Sequence, residues 1–228
     1  MGENLIAHRG GFDRLILERA GEPEQATQVV DVVAGDALPA AADYCGVIIT
    51  GAAAMITDRA PWSVRTADWL PSVVDADVPL LGICYGHQMM AEVFGGRVGL
   101  NPRGREMGTV DVELTAEAAA DALFSVLPNP LRTQATHLEA VLELPSGARL
   151  LGRNERDPYQ AFALGELAWG VQFHPEFDAE IIRGYIAARA DTLRSEGIDA
   201  ERLGASVDDP SDGSTLLARF IELTASQS

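Results

Sequence analysis

Residues 79–88 read Pro79-Leu80-Leu81-Gly82-Ile83-Cys84-Tyr85-Gly86-His87-Gln88, an apolar run that passes through G-x-C-x-G into a helical pattern. This is the thiol form of a nucleophile elbow, in which a sharp strand-to-helix turn lifts one side chain above the C-terminal edge of a sheet. Gly82 and Gly86 fit such a turn because the backbones on either side must approach closely. A cysteine at a helix N-terminus feels the positive end of the macrodipole, which favours the thiolate. The Tyr85 N–H, at the same helix start, can donate to an oxyanion formed beside the sulfur. Taken alone, the segment also admits a plainer reading, in which Cys84 is a small buried hydrophobe.

The rest of the chain agrees with a sheet flanked by helices. Short apolar runs at Leu5–Ala7, Val29–Val33, Gly46–Thr50 and Pro79–Ile83 alternate with helical periods, the pattern of an α/β fold. The last two lack polar alternation, as expected of parallel strands buried on both faces. Pro61 opens a helix carrying Trp62, Trp69, Leu70 and Val73, with Pro71 inside it as a possible interruption, and His87 to Gly95 reads as a second helix ended by Gly-Gly. From Thr109 to Phe173 the pattern turns to strands at Val110–Leu114, Leu131–Thr136, Arg149–Gly152, Gln160–Leu164 and Ala168–Phe173, which add antiparallel pairing. Asp178 then caps a helix running to Gly197, and a polar turn at 208–213 precedes a last helix with Leu216, Phe220 and Leu223. The expectation is one domain over residues 1–228, with C-terminal helices from about 178.

Composition removes several function classes. Of 228 residues, 17 are basic and 34 acidic, giving a formal charge of −17, and all 17 basic residues are arginine. Without lysine there is no Schiff base, no pyridoxal-phosphate anchor and no Walker-type phosphate lysine. No basic run supports nucleic-acid binding. The uncharged stretches are too short for a membrane span, and no signal-peptide pattern opens the chain. Two cysteines are no disulfide framework, so a reduced, cytoplasmic setting is expected, with Cys45 assigned to packing.

A thiolate mechanism needs an acid–base partner, and the chain has four histidines: His8, His87, His137 and His174. His174 follows the apolar run Trp169-Gly170-Val171-Gln172-Phe173 and precedes Pro175-Glu176. Two residues apart, His174 and Glu176 can face one side, so that the carboxylate fixes the imidazole tautomer. With Cys84 they supply nucleophile, base and orienting acid. His8, His87 and His137 have weaker claims, and no cluster has metal-ligand spacing.

These stretches, together with Gly46-Val47-Ile48-Ile49-Thr50-Gly51, Asn101 to Gly108 and Thr136-His137-Leu138-Glu139, resemble the class I (triad-type) glutamine amidotransferases, in particular small stand-alone proteins similar to the amidotransferase domain of GMP synthase. The resemblance covers roughly residues 44–177. It implies a flavodoxin-like fold with a mostly parallel central sheet, added antiparallel strands and flanking helices. It also implies roles: Cys84 as nucleophile, His174 as base and acid, Glu176 as its orienting carboxylate, the amides of Tyr85 and of the loop at Gly51-Ala52 as oxyanion donors, and Gln88 with the backbone at Thr136-His137 as holders of a glutamine-like substrate. No cofactor or metal is called for. The implied partners are a small-molecule substrate, glutamine or a γ-glutamyl compound, and a separate synthetase or other acceptor chain. Two positions depart from the family pattern. Gly51-Ala52-Ala53-Ala54-Met55 stands where Gly-Gly-Pro or Gly-Ser-Pro is usual, and His137-Leu138-Glu139 stands for His-Gly-Asp. The implied reaction is hydrolysis of the glutamine γ-amide; a γ-glutamyl peptidase and a degenerate, non-catalytic binding subunit are the alternatives within the family. A dienelactone-hydrolase-like protein also uses G-x-C-x-G, but takes its acid from a loop between nucleophile and histidine.

Overall fold

The computed structural model of the chain describes residues 11–21 and 27–226. Nine strands occur among them: β1 (Val47–Ile49), β2 (Leu80–Ile83), β3 (Arg97–Leu100), β4 (Glu106–Leu114), β5 (Leu131–His137), β6 (Glu139–Glu143), β7 (Arg149–Arg153), β8 (Ala161–Leu164) and β9 (Ala168–Val171). Seven form one sheet in the order β1-β2-β9-β8-β7-β4-β5. β1, β2 and β9 run parallel, and β8, β7, β4 and β5 extend them by antiparallel pairing. The sheet curls, so that Gln134 of β5 forms an antiparallel bridge with His174, three residues beyond β9. This is the α/β arrangement expected, with the elbow on the parallel part.

The helices are α1 (Phe12–Ala20), α2 (Pro61–Asp75), α3 (Tyr85–Val93), α4 (Ala179–Ala188), α5 (Ala190–Ser195), α6 (Ala200–Ala205) and α7 (Asp212–Ala225). α2 begins with Pro61 in its first turn, where a missing N–H costs nothing, and continues through Pro71 without a break. All four residues of β2 are buried, and α3 is buried from Tyr85 to Ala91 because it lies on the sheet. One apolar cluster gathers Leu81, Ile83, Trp169 and Val171 with Leu216 and Phe220 of α7; another joins Leu80 to Leu70, Val73, Met89 and Met90 of α2 and α3. Burial of each such side chain contributes about 1.5–3 kcal/mol, so the strands that carry the site are anchored from both faces.

Several expectations are corrected. Val29–Val33 is a turn rather than a strand: the Asp31 carboxylate accepts from the amides of Val33 (3.1 Å) and Ala34 (2.9 Å), and Val29 and Val33 are 55% and 65% exposed. An aspartate that captures nearby amides takes them from any ladder. Cys45 is exposed rather than packed. The helix capped by Asp178, whose carboxylate accepts from Ile181 N at 2.9 Å, breaks at Arg189 into α4 and α5. The β3–β6 pair, α1 and α6 are additions to the sequence reading. Leu5–Ala7 and His8 lie outside the described residues. No helix among the described residues is long and apolar enough to cross a membrane.

Candidate active site

The parallel pairing of β2 with β9 brings the site together. Ile83 and Val171 are partners in the ladder, and Cys84 N donates to Val171 O at 2.8 Å, so the two strands end side by side. Cys84 follows β2 with φ 50° and ψ −94°, a backbone conformation costly for a non-glycine residue, and caps α3. The turn closes because its glycines carry no side chain. A Cβ on Gly82 would lie 2.6 Å from the Gly86 carbonyl carbon, and one on Gly86 would run into the Ile49 carbonyl of β1. Cys84 is 8% exposed.

His174 is fixed on several sides. Its amide donates to Gln134 O at 2.7 Å, and Phe177 N donates back to His174 O at 3.3 Å, closing a turn over Pro175. That turn puts Glu176 on the same side as His174, with Oε1 2.8 Å from Nδ1 and both side chains almost fully buried. The Phe177 ring stacks on the imidazole at 4.1 Å and 6°, and Phe12 of α1 stacks further out at 6.4 Å. Burial pulls the imidazole pKa down, but the Glu176 carboxylate and the hydrogen-bonding Cys84 overcome it and push the value up to about 10. At neutral pH the ring is an imidazolium held between a carboxylate and the sulfur.

The backbone expected to supply oxyanion donors stands nearby. A Cβ on Gly51 would lie 2.8 Å from His174 Cε1 and 3.7 Å from Cys84 Cβ, so this backbone packs directly on both side chains. Among the described residues, the amides of Gly51, Ala52 and Tyr85 donate to no protein acceptor. They are open to a ligand oxygen.

The three residues read as substrate holders are placed differently from one another. Gln88 is 4% exposed, and its Nε2 donates to Glu139 O at 2.7 Å and Gln172 Oε1 at 3.0 Å, which commits the amide nitrogen to the scaffold. Thr136 is half-buried, two residues along β5 from the Gln134 bridge. The His137 imidazole turns away into a buried group with Asp157 (Oδ2 at 3.2 Å) and Glu106 (Oε2 at 3.6 Å), leaving only its main chain for a substrate. Burial pushes the Glu106 carboxyl up, partly offset by His137. His87 is fully buried against Phe162 at 4.8 Å, and burial lowers its pKa to about 4. It is a neutral packing group behind Gly170, not a second base. The sequence reading gave Phe177 no role, though it was legible as the apolar neighbour of His-Pro-Glu, and noted Glu139 only as a departure from the family pattern. A recess of about 760 Å³ on the outer side of β4, lined by Arg105, Asn154 and Arg156 among others, contains none of the reactive side chains.

The family model "Glutamine amidotransferase class-I" matches residues 8–187. The chain belongs to this family. It is 34% identical over 179 residues to a GMP synthase [glutamine-hydrolyzing] of Aeropyrum pernix, covering 77% of this chain and 33% of that one. It is 29% identical over 178 residues to γ-glutamyl peptidase 5 of Arabidopsis thaliana, covering 76% of this chain and 70% of the peptidase. The chain thus spans a third of the length of that GMP synthase. The crystal structure of a Thermotoga maritima glutamine amidotransferase superposes with a TM-score of 0.72 at 24% identity, covering 92% of this chain and 89% of the other, and shares the fold.

Proposed function

We propose that the protein hydrolyses the γ-amide of glutamine through a thioester on Cys84, releasing ammonia and glutamate. The observation that carries this reading is the line Cys84, His174, Glu176, in which an imidazolium hydrogen-bonded to a buried carboxylate at 2.8 Å stands beside the elbow sulfur. The Cys84 sulfur attacks the side-chain carbonyl. The oxyanion is held by the free amides of Tyr85 and Gly51-Ala52. His174 gives its proton to the departing nitrogen, ammonia leaves, and a γ-glutamyl thioester remains. His174, now neutral, takes a proton from water as it attacks the thioester; collapse returns the thiolate and the imidazolium and frees glutamate. Glu176 holds Nδ1–H throughout and stabilises the charged ring. Gln88, through its Oε1, and the main chain at Thr136-His137 would orient the amino and carboxylate ends of the substrate.

Two readings share this chemistry and differ in the leaving group. A cysteine only 8% exposed beside a histidine 3% exposed suits ammonia better than a peptide. Ammonia so formed would pass to an acceptor site outside the matched region, in line with the GMP synthase relative, two thirds of which lies outside the match. A mechanism that runs through a free thiol at Cys84 suits a reducing, cytoplasmic setting. Purified protein is to be assayed for ammonia release from glutamine and for cleavage of γ-glutamyl amines and dipeptides. Turnover of glutamine alone supports the glutaminase; turnover of the peptides alone moves the assignment to a γ-glutamyl peptidase. If neither substrate turns over and Cys84 is not labelled by 6-diazo-5-oxonorleucine, the catalytic reading is wrong.

A further inference from the structure

The loop that offers the oxyanion amides has little of its own to hold it. From Gly51 to Met55 it carries a glycine, three alanines and a methionine, none of which brings a hydrogen-bonding side chain. Its first end is secured, since β1 pairs with β2 up to Ile49↔Gly82 and Gly51 packs on Cys84 and His174. Its far end runs into a single 3-10 turn, Ile56–Asp58, whose Ile56 is buried in the core, and the amides that open this turn are held by a residue 82 positions beyond Thr57. Glu139 Oε2 accepts from Ile56 N at 2.9 Å and from Thr57 N at 3.4 Å, and its Oε1 accepts from the Thr57 hydroxyl. Glu139 is 3% exposed, and its main-chain oxygen receives Gln88 Nε2 from the elbow helix at 2.7 Å. One residue therefore grips the donor loop with its side chain and the nucleophile's helix with its backbone.

We propose that Glu139 is a positioning residue of the reaction, clamping the 51–57 loop so that its amides keep their aim on the oxyanion. The proposal rests on the amide-hydrolysis reading above. A buried carboxylate is costly unless donors satisfy it, and here two amides and a hydroxyl of a single short turn do so. The amides that open the Ile56–Asp58 turn need an acceptor, which a neutral group could supply; a carboxylate taking three donors holds the turn more firmly. That firmness serves the reaction, because an oxyanion donor contributes only within a narrow range of distance, and removing one costs about 10²–10³ in kcat. The clamp also accounts for the alanines: a loop held at both ends does not depend on its middle for shape.

The test compares two reactions at the same sulfur in wild type, Glu139→Gln and Thr57→Val. Glutamine hydrolysis develops an oxyanion. Alkylation by iodoacetamide forms an S–C bond as iodide leaves and develops none. The expected result is a kcat for glutamine lowered about tenfold to a hundredfold in Glu139→Gln and several-fold in Thr57→Val, with KM and the alkylation rate nearly unchanged. Amide exchange at Ile56 and Thr57 should accelerate in Glu139→Gln relative to β2. A kcat equal to wild type in both variants overturns the proposal, as does a loss of alkylation in proportion to kcat, which would mark collapse of the whole site. Should Glu139→Gln fail to fold, Thr57→Val decides alone. Should the wild type hydrolyse no amide, the functional reading fails separately. In that case accelerated exchange retains the clamp and unchanged exchange removes it.

Discussion

Replacing Glu176 by glutamine tests the electrostatics of the site with almost no change of shape. The new amide oxygen can still accept from His174 Nδ1, which lies 2.8 Å from Oε1 in the wild type, so what is removed is the negative charge. A hydrogen bond to a charged group contributes about 1.5–3 kcal/mol, roughly twice a neutral one, and the variant keeps the neutral part. A net loss of about 1 kcal/mol follows, or about 2–4 °C in Tm for a chain of this size. The pH dependence gives the sharper signature. The His174 pKa is raised from 6.5 to about 10 in the fold, so its contribution to stability is complete below 6.5 and is lost as pH rises through about 10. Wild type and variant should therefore differ most at pH 6, still differ at pH 8, and converge at pH 10 and above. Activity should fall by about 10²- to 10⁴-fold, because Cys84 alone then offsets burial, the ring is charged less of the time, and the leaving nitrogen loses its proton donor. Thermal melts at several pH values, with kcat/KM for glutamine at each, measure both. A Tm gap independent of pH, or an activity within about threefold of wild type, would refute the imidazolium assignment.

Other perturbations follow from the same geometry. Cys84→Gly should melt higher than Cys84→Ala by about 1 kcal/mol or more, since only glycine adopts φ 50° and ψ −94° without strain; equal stabilities would mean that the elbow is unstrained. Gly86→Ala should cost several kcal/mol, about 2–4, and lower soluble yield, because its methyl meets the Ile49 carbonyl and β1 must move. Gly51→Ala places a methyl 2.8 Å from His174 Cε1 and should reduce kcat far more than Tm, as judged by paired kinetic and melting measurements. His87 has its pKa lowered to about 4, so folding stability should drop as pH falls from 6.5 towards 4, by up to about 3 kcal/mol; His87→Leu should flatten that limb in acid titrations.

What the sequence disclosed was what lies close together in the chain or is forced by one strand pairing. G-x-C-x-G and His-Pro-Glu are local patterns, and once β2 and β9 are parallel neighbours their ends meet without further information. Strands β4, β5, β7, β8 and β9 were legible because apolar runs there are bounded by Pro, Gly and Asn. Val29–Val33 misled because its four valines mask Asp31, whose carboxylate takes the amides that a strand would need. β3 and β6 were missed for the opposite reason: Arg97 and Leu100 are exposed, and Glu139 and Glu143 bracket so short an apolar core that no period is visible. His137 shows a third kind of failure. Its position in the chain was correctly noted, but the direction of its imidazole depends on Asp157 and Glu106, and no local rule names them.

The same distinction explains why a loop poor in polar side chains can serve the site. Read along the chain, Ala52-Ala53-Ala54 looks like a loss of definition where other members carry glycine and proline. In space the definition is supplied by Glu139, through bonds that span 82 and 83 residues. The two departures from the family pattern therefore meet at one loop, whose alanines lead directly into the residues, Ile56 and Thr57, that the glutamate at 139 holds. A loop that takes its shape from a buried carboxylate tolerates alanine where an unclamped loop needs stiff or special backbone. It follows that inserting the family's Gly-Pro pattern at residues 52–53 should make Glu139→Gln less damaging to kcat than it is in the present sequence, a coupling that a double-mutant cycle measures. Additive effects of the two changes would show that loop sequence and clamp act independently.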